Sequence, residues 1–139
     1  MERFPFTTEV RVRFAETDAQ GVAHSAVYLV WFELARVEYL SRFAGGYQQL
    51  RDQGIEAFVT EAYVRYGVPA RFDDVVRIHA RCLDVRGARF RYEYLLERDG
   101  ERIADGWTAH ACVDAGTLRP TRVPGWLRSA IATADASSA

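Results

Sequence analysis

The chain has 139 residues, 49% of them hydrophobic and 27% charged, with a net charge of −1; that suffices for one ordinary domain and not for two. The balance excludes a global basic field that would recruit nucleic acid or an anionic membrane, and no run of about eighteen uncharged apolar residues spans a bilayer. All 18 basic residues are arginine, which excludes Schiff-base chemistry, since that needs a lysine amine, and leaves any phosphate to guanidinium forks.

The first five residues lack the apolar segment of a signal peptide, so the cytoplasm is the expected location. Cys82 and Cys112 have no metal-ligand spacing and are expected to be buried free thiols in a reducing compartment.

Residues 7–14 place Val10, Val12 and Phe14 on one side of a two-residue period and Glu9, Arg11 and Arg13 on the other, which predicts a half-buried strand. Residues 15–24 break the alternation around Gly21 and predict a loop. Ser25 is the expected N-cap of a helix, although no acidic residue completes a capping box. The helix is predicted from Ala26 to Phe43, with Tyr28, Trp31, Phe32, Ala35, Tyr39 and Phe43 at helical spacing. Val27, Leu29, Val30 and Leu34 make its first half apolar nearly all round, the mark of a buried helix. Glu38 and Arg42 are spaced for an i,i+4 ion pair, Gly45-Gly46 stops the helix, and residues 47–52 add a short turn.

Four strands follow: residues 55–66, then 75–85, then a strand carrying Phe90, Tyr92, Tyr94 and Leu96 inward, then 102–114 after the Asp99-Gly100 hairpin signal. Residues 116–124 lead to a weak terminal turn, and the Ala/Ser-rich residues 130–139 are expected to fray. The expectation is one α+β domain over residues 1–139, its core about residues 8–124. A meander of sheet wraps the central helix, and open edges ask for at least a dimer.

Asp18, Gly21, His24 and Ser25 are the chemically dense stretch. A helix start offers unpaired N–H groups and partial positive charge, and fixed N–H donors aimed at a developing oxyanion lower the barrier of acyl transfer. Each residue also has a structural reading. Asp18 suits an Asx-turn, Gly21 a positive φ or a close approach, and His24 an ordinary hydrogen bond. Tyr28 is expected to pack, with its hydroxyl bonded near the loop. Glu33 is a rival carboxylate, but it stands i,i+3 from Arg36 as an ion pair would. His79 lies with Arg77 and Arg81 on a polar strand face and reads as solvated surface. His110 and Cys112 share a strand face, yet no third group orients a base, so a Cys–His dyad is a poor reading. Arg86 and Arg89 flank a turn, with Arg91 following. On residues alone they are a solvated face, and phosphate binding is their functional alternative.

The run Arg13-Phe14-Ala15-Glu16-Thr17-Asp18-Ala19-Gln20-Gly21-Val22-Ala23-His24, followed by Tyr28-Leu29 and Trp31-Phe32-Glu33-Leu34-Ala35-Arg36, resembles the signature of the hotdog-fold thioesterases. The branch is the 4-hydroxybenzoyl-CoA thioesterase type, which includes the acyl-CoA thioesterases associated with the Tol-Pal system. The resemblance continues through Pro69-Ala70-Arg71-Phe72-Asp73-Asp74, Gly106-Trp107-Thr108-Ala109-His110, Val113-Asp114 and Arg119-Pro120. It implies a hotdog fold, edge-to-edge homodimers and often homotetramers, with active sites at the subunit interface. It also implies hydrolysis of an acyl-CoA or acyl-carrier-protein thioester, with Asp18 as nucleophile or general base and the Ser25 backbone amide polarising the carbonyl. No metal or redox cofactor is expected, and coenzyme A enters only as part of the substrate. His24, Gly21 and Tyr28 then join the site, and Arg86 and Arg89 are expected to grip the nucleotide end. Many relatives carry His, Tyr or Asn where this chain has Ser25; the main-chain donor survives that change, whereas a side-chain role does not carry over. The alternative is a non-catalytic acyl-CoA binding or sensor protein on the same fold, although a pure binder gains nothing from a carboxylate facing the thioester. A hydratase reading ranks last, because its Gly-Asp-x-Asn-Pro-x-His context is absent.

Overall fold

The computed structural model describes residues 4–137, with Ser137 described by its backbone alone. The elements are β1 (Phe6–Arg11), a 3-10 turn (Phe14–Glu16), α1 (Val27–Phe43), α2 (Tyr47–Asp52), β2 (Ile55–Tyr66), β3 (Val75–Arg86), β4 (Arg89–Arg98), β5 (Glu101–Asp114) and α3 (Gly125–Ser137). The five strands form one antiparallel sheet in the order β1-β3-β4-β5-β2. The period-two strands supply its inner face: Val76, Ile78, Ala80 and Cys82 from β3, and Phe90, Tyr92, Tyr94 and Leu96 from β4, all buried. They close on α1, where Phe32 stacks on Tyr94 at 4.1 Å and Tyr39 meets Tyr92 edge-on at 5.5 Å. Gly106 makes that closure possible. A Cβ there would come within 2.0 Å of the Tyr63 carbonyl oxygen and 2.9 Å of the Phe32 ring.

Several expectations need correction. First, β2 does not join β3 as a hairpin. It pairs with β5 at the far edge of the sheet, so residues 67–74 must cross three strand spacings, roughly 14 Å, along one end of the sheet. Second, β1 stops at Arg11, where the chain turns into the 3-10 segment, and Phe14 swings out to 75% exposure instead of continuing the inward row. Third, α1 is not covered all round in the protomer: Tyr28, Trp31, Phe32, Ala35 and Tyr39 are buried, while Leu29 and Val30 remain exposed. Nor do Glu38 and Arg42 pair; the Arg42 guanidinium lies 5.0 Å from the Phe43 ring.

Fourth, the expected fraying of residues 130–139 is overturned as far as Ser137, where α3 ends. Leu127, Ile131 and Ala134 form a buried stripe at helical spacing, and small side chains let α3 sit close against α1 and β3. Residues 138 and 139 lie outside the described residues. Among the described residues, no helix is long and apolar enough to cross a membrane.

Candidate active site

The loop before α1 is held by its own backbone. Asp18 donates its N–H to the Val22 carbonyl at 2.9 Å, and its own carbonyl accepts from Gly21 at 2.9 Å. Gly21 sits at φ +79°, with nothing within 4 Å of where a Cβ would point, so the turn's positive φ is what asks for glycine. The Asp18 carboxylate accepts the Gln20 N–H through Oδ1 at 2.8 Å, the Asx-turn that its sequence position allows. No described residue donates to Oδ2. The same half-buried side chain lines a cleft of about 290 Å³, together with His24, Ser25, Tyr28, Tyr66, Gly67 and Pro69.

The cap of α1 differs from expectation. The N-cap residue is Ala26, whose side chain cannot cap, so Ser25 stands one residue too early for that role. No side chain caps the helix; His24 instead fixes the chain just before it, its Nδ1 accepting the Ala26 N–H at 3.1 Å. With Nδ1 accepting, the neutral ring carries its proton on Nε2. His24 makes no hydrogen bond to Asp18 and acts on the site through the helix start. The carbonyls on either side of the amide are also committed: His24 O accepts from Val27 at 2.9 Å, and Ser25 O accepts from the Tyr66 hydroxyl at 2.9 Å. The Ser25 N–H has no acceptor among the described residues. A free main-chain donor therefore stands at the positive end of a 17-residue helix, in the wall of the cleft that Asp18 lines.

Tyr28 is 3% exposed, and its hydroxyl oxygen accepts the Ala70 N–H at 3.4 Å. Burial raises its pKa above the ordinary phenol value, so it remains a neutral hydroxyl. Two wall residues, Tyr66 and Pro69, come from the remote end of β2 and from the crossover, beyond the reach of any reading of the loop alone. Glu16 was also missed. It is 7% exposed and accepts from the Arg13 N–H at 2.8 Å and from the Trp31 indole at 3.3 Å, while its own carbonyl takes the His24 N–H. Glu16 thus ties both ends of the loop, its carboxylate joining Arg13 to α1 and its carbonyl holding His24. Its signal was the Glu16–Trp31 pair across fifteen residues, which only the fold brings together.

Other candidates lie elsewhere. Arg86 and Arg89 stand at the β3–β4 tip, whereas the Asp18 loop flanks the opposite end of β3, roughly 35 Å away along a twelve-residue strand. The protomer does not bring them to the cleft. Glu33 pairs with Arg36 at 3.6 Å and lines a separate apolar groove of about 270 Å³ with Leu29, Val30, Val59 and Ala62. His79 is not simply solvated: it bridges Thr7 at 2.9 Å and Glu97 at 2.7 Å across three strands. Cys112 is fully buried, and burial pushes its thiol up to about 11, while His110 bonds Thr108 at 2.7 Å. That removes the Cys–His dyad.

The comparisons agree with this architecture. Residues 12–131 match the model of the thioesterase-like superfamily. An acyl-CoA thioesterase, YbgC, of Haemophilus influenzae is 34% identical over 126 residues, 90% of this chain and 93% of that one. A hypothetical protein of Thermus thermophilus superposes with a TM-score of 0.85 at 34% identity, covering 91% of this chain and 97% of that one. A second protein of Thermus thermophilus, a thioesterase solved with coenzyme A and zinc, superposes with a TM-score of 0.84 at 29% identity over 98% of both chains. The described residues of the present chain hold no group of three His, Cys, Asp or Glu side chains placed to ligate such a metal. On its sequence match and its sheet-wrapped helix, the chain belongs to the thioesterase-like superfamily and has the hotdog fold.

Proposed function

We propose that the protein hydrolyses an acyl-CoA thioester to the free acid and coenzyme A in the cleft beside the α1 start. The carrying observation is that Asp18 Oδ2 and the Ser25 N–H, both uncommitted, line one cleft. The thioester carbonyl oxygen accepts from the Ser25 amide, which strengthens its hold as negative charge develops there. Asp18 then has two routes. As nucleophile, Oδ2 forms a bond to the carbonyl carbon, the C–S bond breaks, coenzyme A leaves as a thiolate that picks up a solvent proton, and water cleaves the mixed anhydride. As general base, it takes a proton from water while the hydroxide adds, and that proton passes to the departing thiolate. His24 and Glu16 position the helix start and the loop. One relative named an acyl-CoA thioesterase, and a thioesterase solved with coenzyme A bound, support the substrate class.

The site is expected to be completed by a second copy. β2 presents an unpaired edge twelve residues long, beside exposed Phe58, Val59, Leu29 and Val30, which suits edge-to-edge pairing. The test is thiol release from a panel of acyl-CoAs. Wild type turns over at least one of them, and Asp18→Asn loses about 10²–10⁴ in kcat. Tight acyl-CoA binding without thiol release by the wild type would favour the sensor reading instead.

A further inference from the structure

One peptide group of the crossover, Pro69–Ala70, is gripped from both sides. Toward the cleft, the Ala70 N–H donates to the Tyr28 hydroxyl at 3.4 Å, and Ala70 O takes the Ala23 N–H at 2.7 Å. Val22 bridges Arg71 beside them, so the loop that carries Asp18 is set against this stretch. The carbonyl and N–H of a trans peptide point opposite ways, and on the carbonyl side stands Arg98, the last residue of β4. Its Nη1 donates to the Pro69 carbonyl at 3.3 Å and also to Asp74 Oδ2, while its Nη2 donates to Glu101 at 3.1 Å. Asp74 Oδ2 accepts the Arg71 N–H as well, at 2.8 Å. A cation on the Pro69 oxygen fixes that amide and makes its N–H a stronger donor toward Tyr28. Ala70 is fully buried, and neither Arg98 nor Asp74 lines the cleft. Partial burial pushes the Asp74 carboxyl up, but the Arg71 N–H and the Arg98 guanidinium outweigh it and hold it below the usual carboxylate range. The pair is therefore ionised at neutral pH.

We propose that Arg98 is a positioning residue for the hydrolysis: clamped to Asp74, it holds the Pro69–Ala70 peptide against Tyr28 and so sets the wall that keeps the Asp18 loop in register with the helix start. The inference rests on the hydrolase reading above. Arg98 touches no reacting atom; it acts through the crossover, Tyr28 and the loop. Backbone bonds hold the two ends of the crossover, Gly67 to Ile103 at 2.8 Å, Val68 to Arg102 at 3.0 Å and Asp73 to Val12 at 2.9 Å. Arg98 supplies the tie from the sheet to its middle. A planar fork suits that task, because it meets a carbonyl and a carboxylate together, where an ammonium is a single point charge. The Arg98 and Asp74 side chains are 21% and 24% exposed, and an ion pair partly in water adds little to global stability. Its loss is therefore read in turnover more than in unfolding.

Two measurements test it. The first is steady-state thiol release from an acyl-CoA, with melting midpoints alongside, for Arg98→Gln, Asp74→Asn and their double variant. Arg98→Gln loses about tenfold or more in kcat, as a misplaced group does, with KM within a few-fold of wild type. The double variant loses no more than the worse single one, because the two side chains act as a unit. Glu101→Gln, which removes the Arg98 contact that does not reach the crossover, stays near wild type. Should Arg98→Gln fail to fold, the same split of kcat against KM is read on Arg98→Lys, which keeps the charge and loses the fork. An unchanged kcat, losses that add in the double variant, an equal loss in Glu101→Gln, or a kcat that falls only as the melting midpoint nears the assay temperature would each overturn the proposal. The second measurement is amide hydrogen exchange at Ala23 and Ala70, which needs no catalysis. Faster exchange at both in Arg98→Gln, with the β4 amides unchanged, supports the clamp even if no thioester is cleaved. Unchanged exchange while thioesters are cleaved removes the clamp and leaves the hydrolase reading intact.

Discussion

Glu16 shows how one side chain sets a site it does not enter. Its two oxygens hold the Arg13 amide and the Trp31 indole, and its carbonyl holds His24. Glu16→Gln keeps the shape and turns one acceptor into a donor facing N–H groups. It should cost about 1–3 kcal/mol in denaturant unfolding and lower turnover together with stability. His110 gives a second prediction at this scale. Burial, helped by the Arg36 charge, drops its pKa to about 3 from an ordinary 6.5. Below about pH 6.5 the unfolded chain takes up a proton that the folded chain refuses until about pH 3, so stability falls as pH is lowered through that window. His110→Gln should flatten the part of the slope between pH 6.5 and 5 in thermal melts, above the range where ordinary carboxylates titrate. An unchanged slope would place the acid sensitivity elsewhere. Local chemistry of this kind was half legible. Asp18, His24, Ser25 and Tyr28 lie close together in the chain, so their meeting at one cleft could be read there, with Gly21 serving the turn between them. The His24–Ala26 bond could not, because an imidazole accepting an amide two residues on is not a usual pre-helix pattern, and Glu16 has meaning only once Trp31 is packed beside it.

The helix and strands were legible where one period dominates. β4 alternates without a break, and α1 runs to the paired glycines at φ +76° and +89°. What failed were long-range choices. Nothing local tells β2 to cross the sheet end and pair with β5, yet that crossing delivers Tyr66, Gly67 and Pro69 to the cleft, while Arg86 and Arg89 stand at the other end of β3. Phe14 failed for a related reason: period-two patterning continues past Arg11, but the carboxylate of Glu16 draws the chain into a turn. At the sheet–helix contact, Gly106→Ala should be among the most damaging small substitutions. Its added methyl meets the Tyr63 carbonyl and Phe32 inside contact distance, and the expected loss is several kcal/mol, or failure to fold, seen as a lower unfolding midpoint.

For the whole molecule, the apolar groove between α1 and β2 is unfinished in one protomer. Leu29, Val30 and Val59 line it and remain partly in water. A second copy paired along β2 would cover that strip and bring two clefts into one assembly. Val59→Lys should therefore shift the protein toward monomer in size-exclusion chromatography and reduce turnover in parallel. A wild type that already elutes as a monomer with full activity would contradict the assembly.

The most direct measurement is kcat for thiol release by Asp18→Asn and by Ser25→Ala, side by side with wild type on the best acyl-CoA. If a free carboxylate oxygen and a main-chain amide do the work, Asp18→Asn falls by at least about a hundredfold, while Ser25→Ala, which keeps its N–H, stays within a few-fold of wild type. Wild-type turnover by Asp18→Asn, or an equally deep loss in Ser25→Ala, would contradict that division of labour.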